Sequence, residues 1–434
     1  MAYLQRASTH VSRQTVVPLA VTAGALLSIL VISRSISSGR SKNAILSPRE
    51  TLFPKLSEEE IAAVPYPPDA IPGGRDVDTP YGSIRVYEWG PEDGKKVVML
   101  HGISTPSIAL AALAHHLVEK GCRVLLMDFF GRGYSSSPKA LPHDYRLYTS
   151  QLLLALASCR TPWTSFSLLG YSFGGAIAAN FTAHFPHLVS NLILIAPGGL
   201  LRKSHTSWKT SMLYAQTSLL PATLVESMVG RRLWTGDAAA RSIEPEPSSA
   251  NEGKVAEKKV KWKRDSDAGS VRSGISSPSL YESSTSPLLL NHPASTVSKV
   301  VDWQIKHHRA FVPAFISSIQ NTPVHGQQET WARIGARLEQ QNLHPKDSEA
   351  QKMGMESGKV LLLLGARDEI VVAEEVSEDA QKVLGEANVV VRVLDAGHEV
   401  PIELVGECAE VIRRYLGLKK KGGKEGKEAR KQKS

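Results

Sequence analysis

The chain has 434 residues, 42% apolar and 21% charged, which is ordinary globular usage and excludes a wholly disordered polypeptide. Its net charge of +9 belongs to the ends: residues 1–49 carry six basic groups and no acid, residues 417–434 carry eight basic and two acidic groups, and the body between them is about −3. Such a body has no basic groove and no motif for nucleic acid, and its three scattered cysteines, Cys122, Cys159 and Cys408, exclude a disulfide framework and a C-x-x-C metal pair.

In chain order, residues 1–42 form a basic N-terminus. Within it, Thr15 to Ser33 is an uncharged run of nineteen residues, long enough as a helix to cover about 28 Å of a bilayer. It reads as a single membrane anchor in an intracellular membrane, endoplasmic reticulum or mitochondrial. The alternative is a cleaved presequence and a mitochondrial matrix address, since the segment is rich in Ser and Arg and lacks acids. Residues 43–80, with the run PYPPDAIPGG, read as a linker. Residues 236–299 are dominated by Ser, Pro, Lys and Glu and read as a disordered insertion; residues 417–434 read as a basic disordered tail.

Between 81 and 200 short apolar runs alternate with helical patterns: KKVVMLHG, SIALAALAHHLVEKG, CRVLLMDF, RLYTSQLLLALASC, FSLLGYS, GAIAANFTAHF and LILIAP. The alternation resumes with GKVLLLLGARD, a helix from about Val372 to Leu384, NVVVRVLDAGH, and a last helix through Val411 to Leu416. This is the pattern of a doubly wound, mostly parallel α/β sheet buried on both faces. In such sheets the chemistry gathers beyond the carboxyl ends of the strands. Here those ends carry His101, Asp128, Ser172, Asp368 and His398.

Gly170-Tyr171-Ser172-Phe173-Gly174 fits G-x-S-x-G between a strand and a helix, which makes Ser172 the candidate nucleophile. A serine hydroxyl needs an adjacent base. His398, in LDAGHEVPIE after the last strand, is placed to supply it, whereas His115, His116, His307 and His308 read as solvated histidines on helix faces. Asp368, after the penultimate strand, is the candidate acid, with Glu369 the nearest rival and Asp395 a loop carboxylate. The N–H groups of Ile103 and Phe173 are the candidate oxyanion donors, and His101 reads as a brace for its loop. No cofactor or metal is called for.

LHGIS, DFFGRGYSS, GYSFGG, GARDEIV and AGHEVPIE, in that order, resemble the motifs of the α/β-hydrolase superfamily in its lipase and esterase branch. The resemblance covers about 81–200 and 358–416. It implies a hydrolase core in those two parts and a helical cap in 201–357, inserted after the sixth strand and interrupted by the polar insertion. The implied activity is hydrolysis of an ester or related acyl bond, of a small molecule or a lipid, through an acyl-serine. Carbon–carbon bond hydrolases and haloperoxidase-like members keep the same three residues and stand as alternatives; a non-catalytic hydrolase-like binding module is the alternative of another class. Oligomeric state is not legible.

Overall fold

The computed structural model describes residues 43–202, 221–234, 287–289, 292–322, 324–344 and 355–419. Its centre is one sheet of eight strands: β1 (Gly74–Thr79), β2 (Gly82–Trp89), β3 (Lys95–Leu100), β4 (Cys122–Met127), β5 (Phe166–Tyr171), β6 (Val189–Ile195), β7 (Val360–Gly365) and β8 (Val389–Leu394). The spatial order is β8-β7-β6-β5-β3-β4-β2-β1. β2 runs antiparallel to both neighbours, and every other pairing is parallel. β5, β6 and β7 are buried along their whole length, which is why they read as mostly apolar runs with no alternation. The outermost strand β1 alternates between exposed and half-buried residues instead.

The crossovers are α1 (Ala111–Glu119), α2 (Tyr145–Ala157) and α3 (Phe173–His184). After β6, the sixth strand, come α4 (Ala222–Leu233), α5 (Val297–His307), α6 (Phe311–Asn321) and α7 (Gln328–Asn342); α8 (Ala373–Leu384) and α9 (Val405–Tyr415) complete the chain. α1 packs with α9, while α2, α3, α7 and α8 pack in a row. Local signals begin these helices: Asp144 accepts from Arg146 N–H and Leu147 N–H at the start of α2, and Thr296 accepts from Lys299 N–H at the start of α5.

Four boundaries differ from the sequence reading. Residues 43–80 are no linker: Ala44–Ile45 pairs with Ser137–Pro138, and Phe53, Tyr66 and Ile71 are buried in the core. Burial there is achieved by single side chains on short helical turns and irregular backbone, so no periodicity reveals it. The polar insertion ends earlier than 299, because Leu288 and Leu289 are buried and Pro287 bridges Thr296. α7 packs on α3 and α8 beside the sheet, so the cap proper is α4 to α6. The last helix begins at Val405, six residues before the expected start.

The anchor at 15–33, the insertion from 236 to 286 and the tail beyond 419 lie outside the described residues. Among the described residues no helix is long and apolar enough to cross a membrane.

Candidate active site

Ser172 stands between β5 and α3 with φ 53° and ψ −117°. It is one of two non-glycine residues with positive φ among the described residues, a conformation that persists only where the surroundings impose it. Here they do: Ser172 N–H donates to Ile195 O (2.9 Å), and Ser172 O accepts from Gly175 N–H (2.8 Å) and Gly198 N–H (2.9 Å). The flanking glycines are required by close approach. A Cβ on Gly170 would lie 2.3 Å from Gly174 O, and one on Gly174 would lie 2.3 Å from Leu100 O.

His398 follows β8 in a loop tied to the one that ends β7. Arg367 N–H donates to Ala396 O (2.9 Å), the Arg367 guanidinium holds Asp395 (3.0 Å), and Glu403 accepts Gly397 N–H (3.0 Å). The imidazole tilts against the Tyr171 ring at 5.7 Å. Asp368 has its side chain fully buried; Oδ1 accepts from Ile370 N–H (2.9 Å) and Val371 N–H (2.8 Å), leaving Oδ2 for His398 Nδ1 at 2.8 Å. That bond puts the proton on Nδ1, so Nε2 is left to accept the Ser172 hydroxyl at 2.9 Å. The three residues named from the sequence therefore meet in one hydrogen-bonded chain. Glu369 is exposed, and Asp395 is exposed and paired with Arg367.

Phe173 is the first residue of α3, where an N–H has no intrahelical acceptor. Gly102 lies against the nucleophile loop: a Cβ built on it would be 3.7 Å from Ser172 Cβ. His101, fully buried, accepts Phe129 N–H at Nε2 (2.9 Å), so its Nδ1–H donates to Gly102 O (2.7 Å). Gly102 C=O and Ile103 N–H belong to one planar trans peptide and point in opposite directions. Holding the carbonyl therefore aims the N–H, and this is what the brace expected at His101 does. Burial keeps this imidazole neutral, its pKa pushed down to about 3.

Asp128 is at a strand end but away from the serine–histidine–aspartate chain. It accepts Ser107 N–H (2.9 Å), Tyr134 N–H (2.9 Å) and the Tyr66 hydroxyl (3.3 Å), and burial raises its carboxyl to about 6. It braces loops. His308 corrects the sequence reading: it is buried, not solvated, with Nδ1 accepting Ala310 N–H (3.3 Å) and Nε2–H donating to Ser135 O (3.0 Å). Burial pushes its pKa down to about 4. The sequence reading missed Arg132 and Gln304, both fully buried beside the loop of Ile103. Arg132 lies in the quoted DFFGRGYSS motif; Gln304 sits in an ordinary amphipathic pattern that gives no signal. Burial raises the thiols of Cys122 to about 11 and Cys408 to about 12, in keeping with core residues.

Among the described residues no cluster of His, Cys, Asp and Glu is arranged to hold a metal ion. A hollow of about 330 Å³ beside α3 and α7, lined among others by Pro186, His187, Ile334 and Arg337, contains none of Ser172, His398 and Asp368.

Residues 95–230 match the family model described as the alpha/beta hydrolase fold. A "Serine hydrolase-like protein" of Danio rerio is 31% identical over 134 residues, 31% of this chain and 40% of that protein. One of Homo sapiens is 34% identical over 118 residues, 27% of this chain and 56% of that protein. The chain thus spans about half, or less, of the curated relatives it matches. Among solved structures, a membrane phospholipase A described as a bacterial virulence factor aligns at TM-score 0.49 and 16% identity, covering 93% of this chain and 96% of that one. A carboxylesterase structure from the thaumarchaeon Nitrososphaera gargenis aligns at TM-score 0.47 and 15% identity, covering 79% and 98%. The fold assignment rests on strand order and the family match, not on these superpositions.

Proposed function

We propose that this chain, which has the α/β-hydrolase fold, is a serine hydrolase that cleaves an ester or related acyl bond through an acyl-serine. The observation that carries this reading is the hydrogen-bonded chain from Ser172 Oγ through His398 to a buried Asp368. In this reading Ser172 Oγ attacks the substrate carbonyl as His398 Nε2 takes its proton. The N–H groups of Ile103 and Phe173 receive the charge that gathers on the carbonyl oxygen. The tetrahedral intermediate collapses, the C–O bond to the leaving group breaks, and His398 returns the proton to the departing oxygen. Water then attacks the acyl-serine by the reverse route and releases the acid. Asp368 keeps the imidazole in the Nδ1–H tautomer and stabilises it when it becomes a cation.

The test is turnover of a p-nitrophenyl ester. Ser172→Ala loses it while the thermal unfolding transition stays in place, because removing one hydroxyl leaves little cavity; full activity in that variant contradicts the reading.

The location of the enzyme is a second proposal, motivated by the uncharged run Thr15 to Ser33. An anchored enzyme stays in the membrane pellet after alkaline carbonate and meets lipid esters there. Recovery of a soluble chain whose N-terminus lies beyond Ser33 contradicts it and favours a cleaved presequence.

A further inference from the structure

The loop that follows β3 has no strand partner, so its carbonyls need donors from elsewhere. Gly102 O is served by His101, Ile103 O by Arg132 Nε–H at 3.1 Å, and Ser104 O by Gln304 Nε2–H at 2.9 Å. Gln304 comes from α5, in the cap, and its Oε1 accepts Gly133 N–H at 2.8 Å. One amide thus holds two core loops. Arg132 extends the contact to the next cap helix: it donates to Ser318 Oγ (2.8 Å) on α6, and also to Tyr148 Oη (2.8 Å) and Phe130 O (3.0 Å). All its partners are neutral, no carboxylate among the described residues pairs with it, and burial lowers its pKa. A buried cation so placed fixes its acceptors firmly, because releasing any of them leaves a charged donor unmatched.

Resting on the serine hydrolase reading, we propose that Gln304 is a positioning residue for the reaction, by which the cap aims the Ile103 N–H at the developing oxyanion. The peptide that carries this N–H is held on one side by His101 through Gly102 O. The two peptides that follow are held by Arg132 and Gln304, so the core supplies part of the alignment and the cap completes it. The side chain must donate and accept at once, as a neutral amide does. Glutamate keeps the contact to Gly133 N–H but turns a carboxylate oxygen toward Ser104 O. A corollary is that the α5–α6 side of the cap stays seated on the core during turnover, since lifting it would strand Ser104 O, Gly133 N–H and the Arg132 Nη2 donor that Ser318 receives.

The test uses the full chain and compares wild type, Gln304→Met and Gln304→Glu. It measures p-nitrophenyl butyrate kinetics, affinity for a trifluoromethyl ketone that forms a tetrahedral adduct with a serine, and thermal unfolding. Loss of a direct oxyanion donor costs about 10²–10³ in kcat; misalignment of one is expected to cost about 10–100-fold, with KM within about threefold and inhibitor affinity falling in step with kcat. Folded variants with wild-type kcat and inhibitor affinity, or with a change confined to KM or to thermal stability, overturn the proposal. Should Gln304→Met not fold, Gln304→Glu decides on the same readings. Failure of the underlying reading looks different: wild type itself then neither turns over ester nor binds the ketone through Ser172.

Discussion

The loops that end β7 and β8 and the loop that ends β3 serve one site, yet they are held by different means. Around Asp368 and His398 the ties run between the two loops and the short helical turn after them, from Arg367, Asp395 and Glu403, and are partly open to solvent, with Arg367 37% exposed and Asp395 90% exposed. Around Ile103 the ties come from fully buried side chains: His101 next to Gly102 in the chain, Arg132 from the loop after β4, and Gln304 from the cap, 200 residues from Ser104. Surface ion pairs contribute little to stability, whereas a buried polar group left unmatched costs about 1–3 kcal/mol. The side that orients the base can therefore be altered locally, while the side that receives charge is bound up with the stability of the whole domain.

The largest effect that sharpens this contrast is expected at Asp368. Asp368→Asn favours the wrong imidazole tautomer and should lower kcat by about 10⁴-fold, with a smaller change in unfolding midpoint than any substitution of Arg132. Glu369→Gln should leave kcat unchanged. Kinetics on the two variants decide between them: a near-normal Asp368→Asn with a dead Glu369→Gln would move the acid one residue along the chain.

Acid acts on the other side. His101 and His143 have pKa values pushed down to about 3 and His308 to about 4, all by burial first, with the Arg132 charge adding to the effect. Their unfolded pKa is about 6.5. As pH falls below that value the unfolded chain takes up protons that the folded chain refuses, so stability is present above about 6.5 and is lost toward 4. Asp128, raised to about 6, works in the opposite sense over part of this range and leaves a net of about two protons. The corresponding slope is on the order of 3 kcal/mol per pH unit, large against a domain stability of about 5–15 kcal/mol. Denaturant melts between pH 7 and 4.5 should show it, and His308→Gln, which removes one titrating group, should flatten it. A stability that is level over that interval would mean that these histidines are not buried as neutral groups.

Much of this was legible in the chain. The mostly apolar runs of β5 to β7, the G-x-S-x-G turn, and the loops GARDEIV and AGHEVPIE are local patterns, and each lies where its pattern puts it. What the sequence hides is set by contacts between distant residues. Tyr66 fills the core from an irregular segment whose composition resembles a linker, and His308 looks solvated until Ser135 O and Ala310 N–H are brought to it by folding. Gln304 meets Ser104 O only because α5 docks on the loop after β3. α7 reads as part of the cap because it follows the polar insertion, but its packing on α3 and α8 makes it part of the core.

Covalent labelling tests whether Ser172 is a nucleophile activated by His398 without knowledge of the natural substrate. The full-length protein is treated with a fluorophosphonate and digested, and the modified peptide is identified by mass. One adduct is expected, on Ser172, formed quickly in wild type, slowly in Asp368→Asn and not at all in Ser172→Ala. A folded wild-type protein that takes up no label, or that is labelled equally after Ser172→Ala, would contradict it.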